Sequence, residues 1–413
     1  MTQFKKSIIT LSLVLISANT LAAGFQLNTQ SAAGLGRAFA GDAVIADNAS
    51  AMARNAATMT LFKSTELSLG AIVIDTDVSL KNNQYTYFNG GGYSTIALDN
   101  VEDISGINVA PNIFIVHPVS EQLTVGVGMY SNFATTTEYD QSFAADLFGG
   151  TTKVRSVNLQ LSGAYRLSEQ WSIGGGFDVI YGQGELYREY KAAGLNEDAP
   201  LLDVEADGIT FGWHVGAMWE LNPNHRFGLS YRYSPMLEAD GDFTFQGAKV
   251  NNDTLNLPLP SMAEFSGFHQ LTATTAVHYS AQFIEWSKFD SLDTDTVGIF
   301  KQYDWQNVWH FAVGATHQLN QKWTIRTGYM YDLGAVDQIK SITIPDSDRQ
   351  WFSAGFTYQI DTNNSVDFGF TYLLGKDTRV TEQQFVGPML VAKIDATTRA
   401  NATLFGLEFN HKF

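Results

Sequence analysis

From residue 63 onward, apolar and polar positions alternate with period two in one segment after another, which predicts β-strands with two chemically distinct faces. Over residues 155–165, Val157, Leu159, Leu161, Gly163 and Tyr165 share one face, while Ser156, Asn158, Gln160, Ser162 and Ala164 share the other. Residues 351–360 repeat the arrangement, with Phe352, Ala354, Phe356, Tyr358 and Ile360 opposite Ser353, Gly355, Thr357 and Gln359. Counting back by twos from Phe413 gives His411, Phe409, Leu407, Phe405 and Thr403, set against Lys412, Asn410, Glu408 and Gly406. A soluble β-sandwich alternates in the same way, so alternation alone leaves sandwich and barrel both open.

The spacing of the turns decides between them. Strands are expected near 65–79, 107–117, 121–136, 153–166, 171–190, 209–221, 226–246, 261–269, 274–288, 307–318, 322–333, 350–360, 365–376 and 400–413. They number fourteen, an even count as in bacterial single-chain outer-membrane barrels. Tight links at 118–120, 168–170, 222–224, 270–272, 320–321 and 362–364 alternate with long polar or glycine-rich stretches near 80–106, 137–152, 191–208, 247–260, 289–306, 334–349 and 377–399. Short turns on one side and long loops on the other are the asymmetry of an outer-membrane barrel, and a sandwich has no cause to adopt it. After the first segment, no stretch approaches the roughly 18 apolar residues of a membrane helix. A chain that crosses hydrocarbon without helices must close its sheet, because lipid offers no partner to an open strand edge. The expected fold is therefore all-β, a fourteen-stranded antiparallel transmembrane β-barrel. Several strands exceed the ~9–11 residues that a tilted crossing needs, so the wall is expected to rise above the membrane on the side of the long loops.

Two segments fall outside this pattern. Residues 1–22 place Lys5 and Lys6 before an apolar run at 8–16 and a small-x-small site, Thr20-Leu21-Ala22, the order of a secretory signal peptide. Residues 23–62 are rich in Ala, Gly, Ser and Asn, with Gly34, Gly36 and Gly41 as backbone breaks and a helix-compatible piece near 43–53. A fourteen-stranded lumen is too wide for wall side chains alone to fill. This segment, too poor in charge and proline for a disordered tail, is expected to be a compact hatch with short helices plugging the lumen, which leaves 63–413 as the barrel.

Composition narrows the chemistry. Charged residues make up 16% of the chain, against about 25% in ordinary soluble domains, while aromatic residues reach 13%; something other than water is expected to cover much of the surface. The absence of cysteine excludes disulfides, thiolate metal sites and a cysteine nucleophile. The formal charge is −17, and −19 once residues 1–22 take away two lysines and no acid. An acidic chain without a basic run has no footprint for nucleic acid. The histidines form no zinc-binding pair and there is no Gly-x-Ser-x-Gly elbow. His278 beside Ser280 is the nearest approach to a catalytic pair, and barrel packing accounts for it better. Asp293-Asp295 and Asp346-Asp348 lack a calcium-loop pattern and read as solvated loop faces. The chain is thus expected to be a non-enzyme without metal or cofactor.

Gly24-Phe25-Gln26-Leu27, then Gly34-Leu35-Gly36-Arg37-Ala38-Phe39-Ala40-Gly41 and Ile45-Ala46-Asp47, resemble the N-terminal hatch of the FadL family of outer-membrane long-chain fatty acid transporters. The resemblance continues in Asn158-Leu159-Gln160-Leu161-Ser162-Gly163-Ala164-Tyr165-Arg166-Leu167, in Ile344-Pro345-Asp346-Ser347-Asp348-Arg349 and in the aromatic C-terminal strand. It covers essentially the whole mature chain. It implies a barrel in the cell outer membrane, an outer hydrophobic capture groove, an inner pocket, and ligand exit sideways through a kinked third strand. The implied partners are a long-chain fatty acid or other hydrophobic small molecule, outer-membrane lipid and lipopolysaccharide, and the barrel assembly machinery that reads the terminal strand.

The resemblance also implies residue roles. The inner pocket corresponds to Phe25, Arg188 and Lys301, with the two cations pairing to the ligand carboxylate; an arginine paired to a lumen carboxylate and a solvated loop lysine are the competing readings. The capture groove corresponds to Phe143, Leu147 and Phe148, expected as exposed apolar side chains, with local loop packing as the other possibility. The gate corresponds to Asn55, Ala56 and Ala57, where the family usually carries Asn-Pro-Ala, set against the strand kink at Ser131, Asn132, Phe133 and Ala134, where a glycine is common in place of Ala134. The expected function is passive, ligand-gated uptake of long-chain fatty acids. Uptake of aromatic or other hydrocarbons, or a surface adhesin or phage receptor on the same barrel, are the alternatives.

Overall fold

A computed structural model describes residues 24–189 and 200–413; the expected signal peptide at 1–22 and part of the expected loop at 191–208 lie outside them. Fourteen strands build the wall. They are β1 (Glu66–Phe88), β2 (Ile107–Pro118), β3 (Leu123–Tyr130, resumed at Ala134–Glu138), β4 (Thr151–Arg166), β5 (Trp171–Arg188), β6 (Leu202–Asn222) and β7 (His225–Tyr233, resumed at Met236–Phe245). The second half comprises β8 (Ala248–Pro258, resumed at Met262–Gln270), β9 (Thr275–Ile284), β10 (Val308–Gln318), β11 (Trp323–Asp332), β12 (Arg349–Gln359), β13 (Asn364–Gly375, resumed at Thr378–Val386) and β14 (Met389–Lys412). Each strand runs antiparallel to its neighbours, and β1 closes on β14 from Glu66 opposite Lys412 up to Tyr87 opposite Ala392.

The two faces of the wall fall as the alternation requires. Leu159, Leu161, Phe405, Leu407 and Phe409 point outward and are exposed, whereas Asn158, Gln160, Glu408 and Asn410 are buried in the lumen. Outward apolar positions meet lipid, where a basic side chain at the midplane costs about 2–4 kcal/mol. The structure departs from the sequence-based strand limits on the long-loop side. Ala248–Pro258, Thr378–Val386 and the first part of β14 are strand where loop was expected. Tyr93–Ala97 folds back on β1, and Ser291–Thr294 pairs with Gly298–Gln302. Beyond lipid the outer face no longer has to be apolar, so the period-two signal fades while the ladder continues.

Residues 24–62 fill the lumen. A four-residue helix, α1 (Ala32–Leu35), is followed by 3-10 turns at Ala49–Ala53 and Ala56–Leu61, in which Asn48 and Asn55 cap the first turn by accepting from Ser50 N and Ala57 N. Hatch backbone amides donate to wall side chains: Ala32 N to Glu408 Oε2 (2.8 Å), Gly41 N to Ser280 Oγ (2.9 Å), Ala43 N to Ser266 Oγ (3.2 Å) and Ala49 N to Ser68 Oγ (3.0 Å). So close an approach needs wall positions without side chains. A Cβ at Gly328 would stand 2.1 Å from the carbonyl oxygen of Arg37, and one at Gly228 2.1 Å from that of Ala43. These glycines lie mid-strand, where glycine otherwise weakens a sheet; here it admits the hatch.

Gly328→Val is expected to unseat the hatch without opening the wall. Cells carrying it should become sensitive to large hydrophilic antibiotics, while the protein keeps the heat-modifiable gel migration of a folded barrel.

Candidate functional site

The wall ladder is interrupted at β3. This strand leaves the ladder between Tyr130 and Ala134. β2 pairs with it only from Ile113 to Pro118, and its upper part, Ala134–Glu138, pairs with β4 alone. Residues 107–112 of β2 therefore have β1 on one side and no ladder partner on the other. The start of the hatch supplies part of what is missing. Gln26 forms a β-bridge with Phe133, Leu27 N donates to Asn132 O (2.7 Å) and Ala134 N donates to Phe25 O (3.1 Å). Gln30 Nε2 adds a bond to Asn132 Oδ1 (3.0 Å).

A predominantly apolar cavity of about 610 Å³ opens beside this break. Its lining runs from the lumen side chains Phe25, Trp351 and Leu404 to Val109 and Met129, which are 61% and 41% exposed on the outer surface. One cavity thus touches both the interior and the lipid-facing surface. Its volume is in the range of small-molecule sites.

Phe25 roots the inner end. Its ring packs against Trp286 (centroids 4.8 Å apart), Phe289 (5.3 Å), Trp305 (5.9 Å) and Phe133 (6.2 Å). Next to it, Gly24 has φ +59, and a Cβ there would lie 2.4 Å from the Trp305 ring. Gly24 N donates to Asp346 Oδ1 (3.1 Å), which also accepts from Arg349 Nη2 (3.1 Å), while Asp346 Oδ2 accepts from Ala335 N (3.0 Å). Burial pushes the Asp346 carboxyl up, and neighbouring Asp332 pushes it further, against the lowering influence of Arg349 and the amide donors; it titrates at about 7.

The family described as outer membrane protein transport protein (OMPP1/FadL/TodX) matches residues 13–413. The long-chain fatty acid transport protein of Escherichia coli O6:H1 is 33% identical, covering 100% of this chain and 99% of its own. Outer membrane protein P1 of Haemophilus influenzae is 34% identical and covers 100% of both chains. The chain belongs to this family. Among solved structures, a FadL homologue of Pseudomonas aeruginosa superimposes with a TM-score of 0.83 at 20% identity, covering 95% of this chain and 100% of that one. The toluene transporter TodX of Pseudomonas putida gives 0.67 at 14% identity over 96% and 100%. At these identities the likeness is one of fold, and the protein is a multi-pass β-barrel of the outer membrane.

The residues that resemblance to the FadL family points to do not all come together. Arg188, at the end of β5, donates through Nη1 to Thr151 O and Tyr187 O and through Nη2 to Thr152 Oγ1 (2.6 Å), and it interacts electrostatically with Glu382, Asp146, Tyr139 and Tyr303. Lys301, on the strand Gly298–Gln302, is ion-paired with Glu382 and lies 5.9 Å over the Tyr303 ring. Tyr303 packs on Phe289 at 4.8 Å, and Phe289 on Phe25. Lys301 is thus joined to Phe25 through an aromatic chain, and Arg188 interacts with that chain electrostatically at Tyr303; neither lines the 610 Å³ cavity.

The outer-loop residues need correcting. Phe143 and Phe148 are buried, not exposed, and pack with Leu147 against Tyr85, Tyr139, Val380 and Ile394. The raised wall gives these side chains an apolar inner face, and the loop folds onto it.

The expected gate residues stand in two places. Asn55 Nδ2 donates to Ala43 O (2.7 Å) and Ala217 O (3.0 Å), and Ala56 and Ala57 lie against Gly174, all under β5 and β6. The segment 131–134 meets residues 25–30 instead. None of residues 131–134 has a positive φ, so the break does not require glycine.

Other expectations shift as well. Asp346 and Asp348 are buried rather than solvated. His278 Nε2 meets Thr316 Oγ1 at 3.0 Å, while Ser280 binds Glu264 Oε1 (2.9 Å) and the hatch, so the two do not act as a pair. Sequence reasoning missed Glu382, the cage of Trp286, Phe289, Tyr303 and Trp305, and the clamp of Asp346 on Gly24. The last sits inside the Ile344–Arg349 motif, which was a usable signal.

Because the folded state raises the Asp346 pKa, its contribution is full below the ordinary carboxylate range and is lost as pH rises through about 7. A spin label at Leu27→Cys, unambiguous in a cysteine-free chain, should be more mobile at pH 8.5 than at about pH 5.5. Asp346→Asn should remove most of that difference.

Proposed function

We propose that the protein takes up long-chain fatty acids passively across the outer membrane, binding them beside the start of the hatch and releasing them sideways through the interruption at β3. The observation that carries this reading is an apolar cavity that reaches without interruption from Phe25 to the outward-facing Val109 and Met129. A fatty acid tail gains about 0.8 kcal/mol for each methylene kept from water. A path through an apolar wall into lipid keeps that gain throughout, whereas a watery axial channel would forfeit it. The family relatives named for long-chain fatty acid transport support the same substrate class.

Arg188 and Lys301 supply the polar end of the site. Lys301 is joined to Phe25 by the aromatic chain, Arg188 interacts electrostatically with Tyr303 in that chain, and a carboxylate is the ligand group both suit. Entry on the outer side falls to the raised wall and loops, with outer-membrane lipid and lipopolysaccharide around them. Residues 24–30 act as the gate: their few bonds to 131–134 hold the displaced segment of β3 from within, and the ligand opens them by binding the open arrangement better than the closed one. Asn55, Ala56 and Ala57 anchor the fixed part of the hatch under β5 and β6. The chain acts without a catalytic step.

In a transporter-deficient host, the protein should restore growth on oleate. Correct insertion in the outer membrane without rescue would end the transport reading. Arg188→Ala with Lys301→Ala should weaken oleate binding on the order of tenfold or more, the scale of a lost charged hydrogen bond, and leave a neutral alkane within about twofold. Equal loss for both ligands would favour hydrocarbon uptake without carboxylate recognition. Thr135→Trp, which fills the cavity at the wall, should slow uptake by a larger factor than it weakens oleate binding.

A further inference from the structure

Lys301 already has a carboxylate on it. Glu382, from the upper part of β13, pairs through Oε2 with Lys301 Nζ, and its other oxygen accepts the amide of Ile342 at 2.6 Å. The Glu382 side chain is 7% exposed and that of Lys301 28%, so the ammonium keeps an open flank while its partner is enclosed. The stretch that Glu382 holds is pinned on its other side as well: Tyr139 Oη donates to Ile342 O (2.7 Å) and Thr137 Oγ1 to Thr343 O (2.7 Å). Four residues past Ile342 stands Asp346, which holds Gly24.

We propose that Glu382 is a built-in competitor for the ligand carboxylate: in the resting protein it occupies Lys301, and an acid ligand binds by displacing it. This rests on the reading of Lys301 as a carboxylate anchor. A carboxylate arriving at the open flank of Lys301 brings a second negative charge against Glu382, and the two cannot both keep short contacts with one ammonium without repulsion. Once displaced, the enclosed Glu382 is a buried charge short of a partner, which is costly. It relieves that cost by moving toward Arg188, with which it already interacts, and so releases the Ile342 amide. Exchange at Lys301 thereby loosens the segment that ends at the clamp on Gly24. A neutral hydrophobic ligand has nothing to exchange, so the pair sets a threshold that acids alone cross by substitution.

The test uses the full-length protein in detergent, with oleate and methyl oleate as probes. Glu382→Gln removes the charge and keeps an acceptor for Ile342 N. It should tighten oleate on the order of tenfold, the scale of one charge-assisted contact, and leave methyl oleate within about twofold. Unchanged or weaker oleate binding would overturn the proposal, as would equal tightening of both probes. Adding Lys301→Ala to Glu382→Gln should abolish the gain; a gain that persists would also overturn it. Oleate, but not methyl oleate, should speed hydrogen exchange across residues 334–348 of the wild-type protein, and no change there would refute the link to the clamp. The underlying reading fails separately, if wild-type protein binds oleate no better after Lys301 is present than in Lys301→Ala alone.

Discussion

Hydrocarbon offers no hydrogen-bond partner to a peptide group, and nearly every feature of this molecule follows from that. Each strand must be paired on both sides, so the sheet closes through the long β1–β14 ladder. The outward positions must be apolar, so charge is confined to lumen and loops. Against this rule the edge left at residues 107–112 of β2 is conspicuous. It is tolerated because β3 turns aside to make a cavity there and because residues 25–27 bind the turned segment from within. Such a cover consists of a few hydrogen bonds, each contributing roughly 0.5–1.5 kcal/mol net, and the Phe25 ring packed behind them.

The rest of the hatch is mounted quite differently. Arg37 bonds Asp42 (2.7 Å) and Asp47 (2.6 Å), and Arg326 from the wall reaches the same Asp47 (3.3 Å). Burial pushes the Asp47 carboxyl up, but the two guanidiniums outweigh it and hold the group at about 2. Further along, Arg232 bonds Ala53 O (2.8 Å) and Gln160 Nε2 bonds Met52 O (2.8 Å). The Arg37 pairs lie within the hatch and brace it as a unit, whereas withdrawing the hatch as a body would break the Arg326–Asp47 pair, at about 3–5 kcal/mol for a buried pair that loses one partner, together with the bonds to Met52 O and Ala53 O. A movement limited to residues 24–30 leaves these in place and releases instead the bonds of Arg54 to Asn28 and Gln30 and of Asn112 to Thr29 O. The energetics thus favour a fixed plug with a mobile leading edge over a plug that leaves the barrel.

How far the sequence reveals this depends on whether the constraint is local. Lipid acts on every outward residue, so the faces of β4 and β14 could be read from alternation, and the strand count with them. Above the membrane that force is absent, and Ala248–Pro258 or Thr378–Val386 looked like loop although they pair as strands. Phe143 and Phe148 read as exposed because strand length predicts the raised wall but not which side chains it turns toward the loop. Pairings such as Lys301 with Glu382, or Gly24 with Asp346, join residues 81 and 322 positions apart and leave no periodic trace. Phe25, Arg188 and Lys301 were found through family resemblance, which carries such tertiary information indirectly. The glycines told half their story: Gly34, Gly36 and Gly41 read as breaks in the hatch, while Gly228 and Gly328 gave no sign that they make room for it.

The acidic balance of the chain also bears on selectivity. A net charge of −17 should repel fatty acid anions rather than collect them, so recognition must rest on particular cations and on their availability. Most lumen arginines are already committed: Arg37 and Arg326 to Asp47, Arg54 to Glu264, Arg232 to Asp178, and Arg349 to Asp346, all with buried side chains or nearly so. These hold the structure together and could not accept a ligand without undoing it. Lys301 differs in having an open flank and a place at the end of the aromatic chain that leads to Phe25. Lysine suits that position better than arginine would, because a point charge exchanges one carboxylate for another without the planar, two-bond geometry that an arginine fork enforces. Under the proposed carboxylate recognition, what separates a binding cation from a structural one is therefore the ease with which its counter-charge can leave.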